Sequence, residues 1–337
     1  MSEQASSNAV TQRHLVIRAV LRTDVGLVRS ENQDFGTYTT PSEEKDSHAA
    51  GRLFVVADGM GGHRGGATAS RIAGETVKAQ FLGSETHDIA TSLREALARA
   101  NARIYSEAQS NPDLRGMGTT TSALAVRGEH GWLAHVGDSR IYLVRGDTIR
   151  QLTEDHSLVA TMVREGLLTP QEAEVHPRRN VLQRSMGVAD DVEIDVRGPF
   201  QLQEGDTFIL CSDGLHGLVK EPELKEIAHG TIDDAADEFL RRALERGAPD
   251  NVTVIVARVE RSDAEADELD ETLKDTQKLA AVLDETLRDT DKIRVANPAP
   301  APSSPVAVPP QAGRPMRWAL ALVVVAGAAG AWYFLSH

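Results

Sequence analysis

Cysteine is almost missing from this sequence. Cys211 stands alone, which excludes an internal disulfide and a zinc site built on thiolates. In its setting, TFILCSDG, it reads as a small buried strand residue rather than a nucleophile. Positive charge is also short. Lys and Arg number 36 against 50 Asp and Glu, a formal net charge of -14, so no nucleic acid is expected as a partner. The first 14 residues lack an apolar run, so no cleavable signal peptide is expected, and residues 1–13 read as a disordered lead-in. What is present is ordinary: 41% hydrophobic and 26% charged residues in a chain of 337, which fits one α/β domain of about 250 residues with appendages.

The chain is organised around residues 53–63, LFVVADGMGGH. Four apolar residues predict a buried strand, Asp58 falls at its end, and three glycines at 59, 61 and 62 let the backbone turn and its carbonyls approach a ligand. Taken alone, the stretch could equally be a plain strand-to-helix turn. A first strand is expected at 14–21, running into the polar stretch TDVGLVRSENQD at 23–34, and residues 37–51 read as a patternless loop. Two Ala-rich helices follow, the first reaching residue 80 and the second over 93–108. Beyond a Pro/Gly break the period changes, with strands expected at 119–127, 132–138, 140–146 and 148–153. Residues 155–190 read as a charged, mostly helical insertion. Strands at 192–196 and 207–211, a helix over 233–246 and a last strand in APDNVTVIVARVE complete the pattern. Strands in groups with helices segregated between them predict an α+β fold of two antiparallel sheets covered by helices.

Four aspartates share one local design, an apolar strand next to Asp beside Gly, Ser or Asn: Asp58, Asp138, Asp213 and Asp250. Brought together they would repel one another, and a divalent cation between them relieves this. All-oxygen ligation favours Mg²⁺ or Mn²⁺ over zinc. The alternative is four unrelated turns. Two such ions lower the pKa of a shared water enough to make a nucleophile for an in-line attack on phosphorus. Arg29 would supply the planar, permanent charge that grips phosphate oxygens. His63 would protonate the leaving alkoxide; the alternative is a surface histidine at a helix start.

At these residues the chain resembles the metal-dependent protein phosphatases of type 2C in their bacterial form. The matching blocks are TDVGLVRSENQD, VVADGMGGH, GMGTTTSALAV, AHVGDSRIYL, LTEDHS, LQRSMG, LCSDGL and PDNVTVIV, in family order across roughly residues 15–259. The resemblance implies a four-layer αββα sandwich, a catalytic domain over 14–260, two Mn²⁺ or Mg²⁺ ions with a third in some members, and hydrolysis of phosphoserine and phosphothreonine in proteins. By position, Asp58 matches the ligand bridging both metals and Gly59 the ligand acting through its carbonyl. Asp213 and Asp250 match the remaining first-metal ligands, Asp138 with Asp213 the holders of the third ion, and Asp34 a group holding metal-bound water. Arg29 matches the phosphate-binding arginine and His63 the general acid. The segment after Asp155 and His156, up to about Arg184, resembles the family's mobile flap. One departure is Gly66-Ala67 where members often carry Gly-Glu.

Past residue 260 the composition shifts. LDETLKDTQKL at 269–279 returns as LDETLRDTDKI at 283–293, a period of fourteen, or two heptads. The segment 261–296 reads as an acidic repeat, helical or disordered: a charged amphipathic spacer or a weak coiled coil. A sharper alternative is that Thr272, Thr276, Thr286 or Thr290 is phosphorylated by a Ser/Thr kinase and read by an FHA-domain protein. A Pro-rich linker covers 297–317, and 318–335 is an uncharged stretch of eighteen residues, about 27 Å as a helix. Aromatic residues at both ends, with Arg314 and Arg317 before it, predict a single-pass C-terminal transmembrane helix in the inner membrane with a cytoplasmic enzyme; a buried soluble helix is the alternative. The expected function is a membrane-anchored Ser/Thr protein phosphatase opposing a kinase. Its rivals are a catalytically silent phosphoprotein-binding scaffold and a small-molecule phosphatase.

Overall fold

In the computed structural model the described residues are 13–40, 43 and 51–263. The chain divides into two units, Met1–Lys274 and Asp275–His337, and every described residue belongs to the first. The expected lead-in, the repeat segment beyond 263, the Pro-rich linker and the candidate membrane span therefore lie outside the described residues. Among the described residues no helix is long and apolar enough to cross a membrane.

In chain order the elements are β1 Arg13–Asp24, β2 Asp34–Tyr38, β3 Arg52–Met60, α1 Gly62–Leu82, α2 Ile89–Ser110, a 3-10 turn at Pro112–Leu114, β4 Gly118–Thr119, β5 Thr121–Arg127, β6 His130–Val136, β7 Arg140–Arg145, β8 Thr148–Gln151, α3 Leu158–Arg164, α4 Pro170–Glu174, β9 Asp195–Gln201, β10 Thr207–Cys211, α5 Asp213–His216, α6 Glu221–Ile227, α7 Ile232–Glu245 and β11 Val252–Asp263. One sheet runs β1-β11-β10-β7-β8. The other runs β2-β3-β5-β6-β9, with β4 joined to β3. Every pairing is antiparallel.

The apolar runs of the central strands follow from burial on both faces. In β3, Leu53, Val55 and Ala57 pack with Ala73, Val77 and Phe81 of α1 and Leu93, Leu97 and Ile104 of α2. Phe54 and Val56 point the other way, into a core shared with Phe208 and Leu210 of β10 and Ile255 of β11. The outer faces of β10 and β11 carry Ile209, Cys211, Val254 and Val256, which pack against Leu224 of α6 and Phe239 of α7. Helices, sheet, sheet and helices stack in that order. Cys211 is fully buried, as expected, and burial pushes its thiol up to about 12.

Three expectations need correction. The patternless loop begins later than predicted, because 34–38 forms β2 along the edge of β3. The insertion at 155–190 is not mostly helical. It holds only the short helices α3 and α4; the bridge Ser157 to Leu182 closes the segment on itself, and the bridge Thr119 to Met186 ties it to β4. Finally, α5 and α6 were not anticipated; each spans seven residues or fewer, too short for a helical period to register.

Candidate active site

The register places the predicted acids at one end of the sandwich. Asp34 lies directly across from Asp58 in the β2–β3 pair. Asp213 opens α5 two residues past the end of β10, and Asp250 precedes β11 by two residues, with Cys211 of β10 opposite Val254 of β11. Asp138 stands between the end of β6 and the start of β7. Asp58 is not at a strand end, as the sequence suggested, but inside β3, which continues to Met60.

Threonines fix the Asp58 backbone. Its carbonyl accepts from Thr120 N–H at 2.9 Å and from Thr119 Oγ1 at 2.8 Å, and its N–H donates to Thr120 Oγ1 at 2.9 Å. Gly59 follows in a cradle with no room for a side chain: a Cβ there would lie 2.1 Å from Gly66 O and 2.6 Å from Gln33 O. Gly66 in turn leaves Gly59 O clear, since a Cβ on Gly66 would sit 2.7 Å from it. The Gly66-Ala67 departure therefore keeps the glycine that matters for this approach.

The five carboxylates are half-buried and crowd one another. Burial, reinforced by Asp34, Asp213, Asp138 and Asp250, holds Asp58 well above the usual carboxylate range. Burial, with Asp213 and Asp250 adding, pushes Asp34 up to about 7 against the pull of Ser212 and Thr253. Burial, with Asp213 and Asp155 adding, does the same to Asp138, also to about 7. Burial and then Asp250 raise Asp213, against the opposing pull of Arg29 and the Gly214 backbone. Arg29 is the nearby counter-charge: its Nη2 donates to Asp250 Oδ2 at 2.6 Å, and it also feels Asp58 and Asp213.

No set of three acidic, histidine or cysteine side chains among the described residues is already arranged as a closed metal cage. The donor set nonetheless fits hard cations. It is all oxygen, it is short of positive charge, and Asp34 Oδ1 is buried without a hydrogen-bond partner. His63 lies in the first turn of α1, four residues past Gly59; its side chain is outside what the structure describes.

Several supporting residues carried no sequence signal beyond standing next to a predicted acid. Ser212 Oγ donates to Asp34 Oδ2 at 2.6 Å. Asn251 is a hub: its Oδ1 accepts from Gln33 N–H at 2.8 Å, and its Nδ2 donates to Val25 O at 2.9 Å and Glu31 O at 3.0 Å. Both ends of the loop that carries Arg29 thus hang on one side chain. Asn251→Ala is expected to cost about 2 kcal/mol of stability in urea unfolding. It should also raise KM for a phosphopeptide about tenfold, with kcat changed by less than about threefold, because Arg29 loses its seat while the acids keep theirs. The same loop turns at Gly26, where φ is +77° and a Cβ would lie 2.3 Å from Asp250 O. Gly26→Ala should therefore lower stability by at least about 2 kcal/mol, read from the urea midpoint.

Below Asp138, His216 Nε2–H donates to its carbonyl at 3.0 Å. Arg140 grips Asp155 through both Nε and Nη2, at 3.0 and 2.7 Å, which holds that acid below its usual range despite burial. The segment expected to act as a flap follows His156, whose Nδ1 accepts from Gly137 N–H at 3.1 Å and whose Nε2 faces Asp195 at 3.4 Å.

Two antiparallel sheets between helices, with an acid cluster and an arginine at one end, define the class. The family model for protein phosphatase 2C matches residues 32–251, and the chain belongs to that family. Among its relatives, the serine/threonine phosphatase stp of Listeria innocua serovar 6a is 41% identical over 253 residues, 73% of this chain and 96% of the relative. Protein phosphatase PhpP of Streptococcus pneumoniae serotype 2 is 37% identical over 252 residues, 73% of this chain and 98% of that one. Of solved structures, the catalytic domain of the serine/threonine protein phosphatase PstP, in complex with two manganese ions, superposes with a TM-score of 0.63 at 34% identity, covering 73% of this chain and 99% of that one.

Proposed function

We infer that this chain is a Mn²⁺- or Mg²⁺-dependent phosphatase that hydrolyses phosphoserine and phosphothreonine in proteins. The observation that carries the reading is the gathering of Asp34, Asp58, Asp138, Asp213 and Asp250 at one end of the sandwich with Arg29 beside them. Asp58, the Gly59 carbonyl, Asp213 and Asp250 would hold a pair of ions; Asp138 with Asp213 would hold a third, and Asp34 would act through water. When bound, the ions supply a water of lowered pKa as the nucleophile.

The chain's own residues do the rest. Arg29, half-exposed and already on Asp250, is placed to bind the phosphate oxygens once cations satisfy that acid. Asn251 keeps the arginine's loop in register. His63, at the start of α1, is the proposed proton donor to the leaving serine or threonine oxygen. The test is release of phosphate from phosphothreonine peptides by the full chain. Turnover that requires Mn²⁺ and stops with a chelator supports the reading, and no turnover with either ion overturns it.

We also propose that residues 318–335 anchor the enzyme in the inner membrane with the catalytic domain in the cytoplasm, opposing a Ser/Thr kinase there. The apolar, aromatic-flanked stretch after a Pro-rich linker supports this. The threonine-bearing repeat at 269–293 is the proposed contact for an FHA-domain partner. Recovery of the chain in the soluble fraction after lysis would count against the anchor.

A further inference from the structure

The large apolar side chains that stand exposed among the described residues are confined to two segments. Val25, Leu27 and Val28 lie in the β1–β2 loop, and four more lie between 167 and 188. Scattered apolar exposure is normal; concentration in two segments tied to the strand ends that carry the acids is not. Leu27 and Val28, 65% and 72% exposed, are the pair next to Arg29.

Their loop is not free to fold them inward. Leu27 N–H donates to Ala248 O at 2.9 Å, Gly26 N–H donates to Asp24 Oδ1 at 2.8 Å, and Asn251 holds the carbonyls of Val25 and Glu31. Gly26 is pressed against the Asp250 carbonyl with no space for a Cβ. The backbone is thus clamped to the segment that supplies Asp250, while two aliphatic side chains are left in water. A rigid apolar surface loses little freedom on docking, which favours a ligand that covers it.

We propose that Leu27 and Val28 form an apolar shelf that receives a large aliphatic side chain of the substrate polypeptide, within two residues of the phosphorylated serine or threonine. This rests on the phosphatase reading above, with Arg29 on the phosphate. Two peptide bonds separate Leu27 from Arg29, at most about 7.2 Å between Cα atoms, within the span that separates a phosphorylated residue from its second neighbour in an extended peptide. Charge points the same way: the chain carries a formal net charge of -14, so an uncharged aliphatic neighbour meets less repulsion than an acidic one would.

The test uses the full chain with Mn²⁺ and matched phosphothreonine peptides of equal charge, in which leucine or serine occupies each of the two positions on either side of the phosphorylated residue in turn. Wild type should prefer leucine to serine at one or more positions by about tenfold in kcat/KM. The double variant Leu27→Ser, Val28→Ser should bring that ratio to within about twofold, and Leu27→Ile, Val28→Ile should keep it. The ratio is taken within each variant, so a general loss of activity cancels. Equal turnover of both peptides by wild type, or a preference that survives the serine variant, overturns the shelf and leaves the phosphatase reading intact. If the preference survives and the serine variant instead shifts the sedimentation of the chain, the surface belongs to a second copy. No turnover of any peptide by wild type overturns both readings.

Discussion

Asp58→Asn leaves less than about one thousandth of wild-type kcat/KM on a phosphothreonine peptide with Mn²⁺ present, and yet gives a metal-free protein that melts higher than wild type. Both effects come from the same crowding. Asp58 faces Asp34 across the β2–β3 pair and is pushed up by burial and by four neighbouring acids. An amide removes one acid from a cluster whose counter-charges are Arg29 and, at Asp138, Arg140, which relieves crowding on the order of 1–2 kcal/mol. It also removes an anionic donor from the group that would hold cations. Thermal melts in chelator and steady-state kinetics in Mn²⁺ read the two halves independently. Unchanged turnover with a lower melting temperature would overturn the assignment of Asp58.

The second large effect concerns pH. Asp34 and Asp138 are each pushed up to about 7. Such a group stays protonated in the folded, metal-free protein over a range where the unfolded chain has released the proton. Its contribution to stability is therefore full below about pH 4 and is lost as pH rises through about 7. Buried His135 and His216 work in the opposite sense. Burial lowers them to about 4 and about 3, so their contribution is present above about 6.5 and fades as pH falls. The windows overlap, and a simple stability profile would show a partial cancellation.

The difference between melting temperatures with Mn²⁺ and with chelator removes the histidine contribution. Cation binding requires the carboxylates ionised, so each displaced proton costs about a tenfold loss of apparent affinity per pH unit below 7. The Mn²⁺-induced rise should be near zero at roughly pH 5.5 and about 5 °C or more at roughly pH 8. A gain independent of pH would mean that Asp34 and Asp138 stand outside the cation site. In Asp58→Asn the gain should shrink at every pH.

Much of this site was legible before the structure because its residues sit beside strong strand signals. Asp58, Asp138, Asp213 and Asp250 each follow or precede an apolar run, and Arg29 and His63 stand in polar turns between such runs. What could not be read was support. Ser212 and Asn251 each adjoin a predicted acid, but a serine or asparagine in a turn is common, and only the fold reveals that Asn251 reaches Val25 and Glu31, more than 200 residues away in sequence. Strand β2 escaped because DFGTY has one aliphatic-free alternation interrupted by Gly36, and all five residues are only half-buried. The insertion at 155–190 reads as mostly helical because charged and apolar residues recur there at near-helical spacing. Its conformation is set instead by contacts with strands far away in the chain, such as Thr119 with Met186.

The long ladder between the first and last strands has a consequence for geometry on a larger scale. Its pairs run from Asp24 opposite Val252, beside the acids, to Arg13 opposite Asp263. Twelve residues of extended chain cover roughly 35 Å, so the Arg13–Asp263 end of the ladder marks the pole of the sandwich opposite the cleft, and a probe placed there would stand clear of a bound substrate.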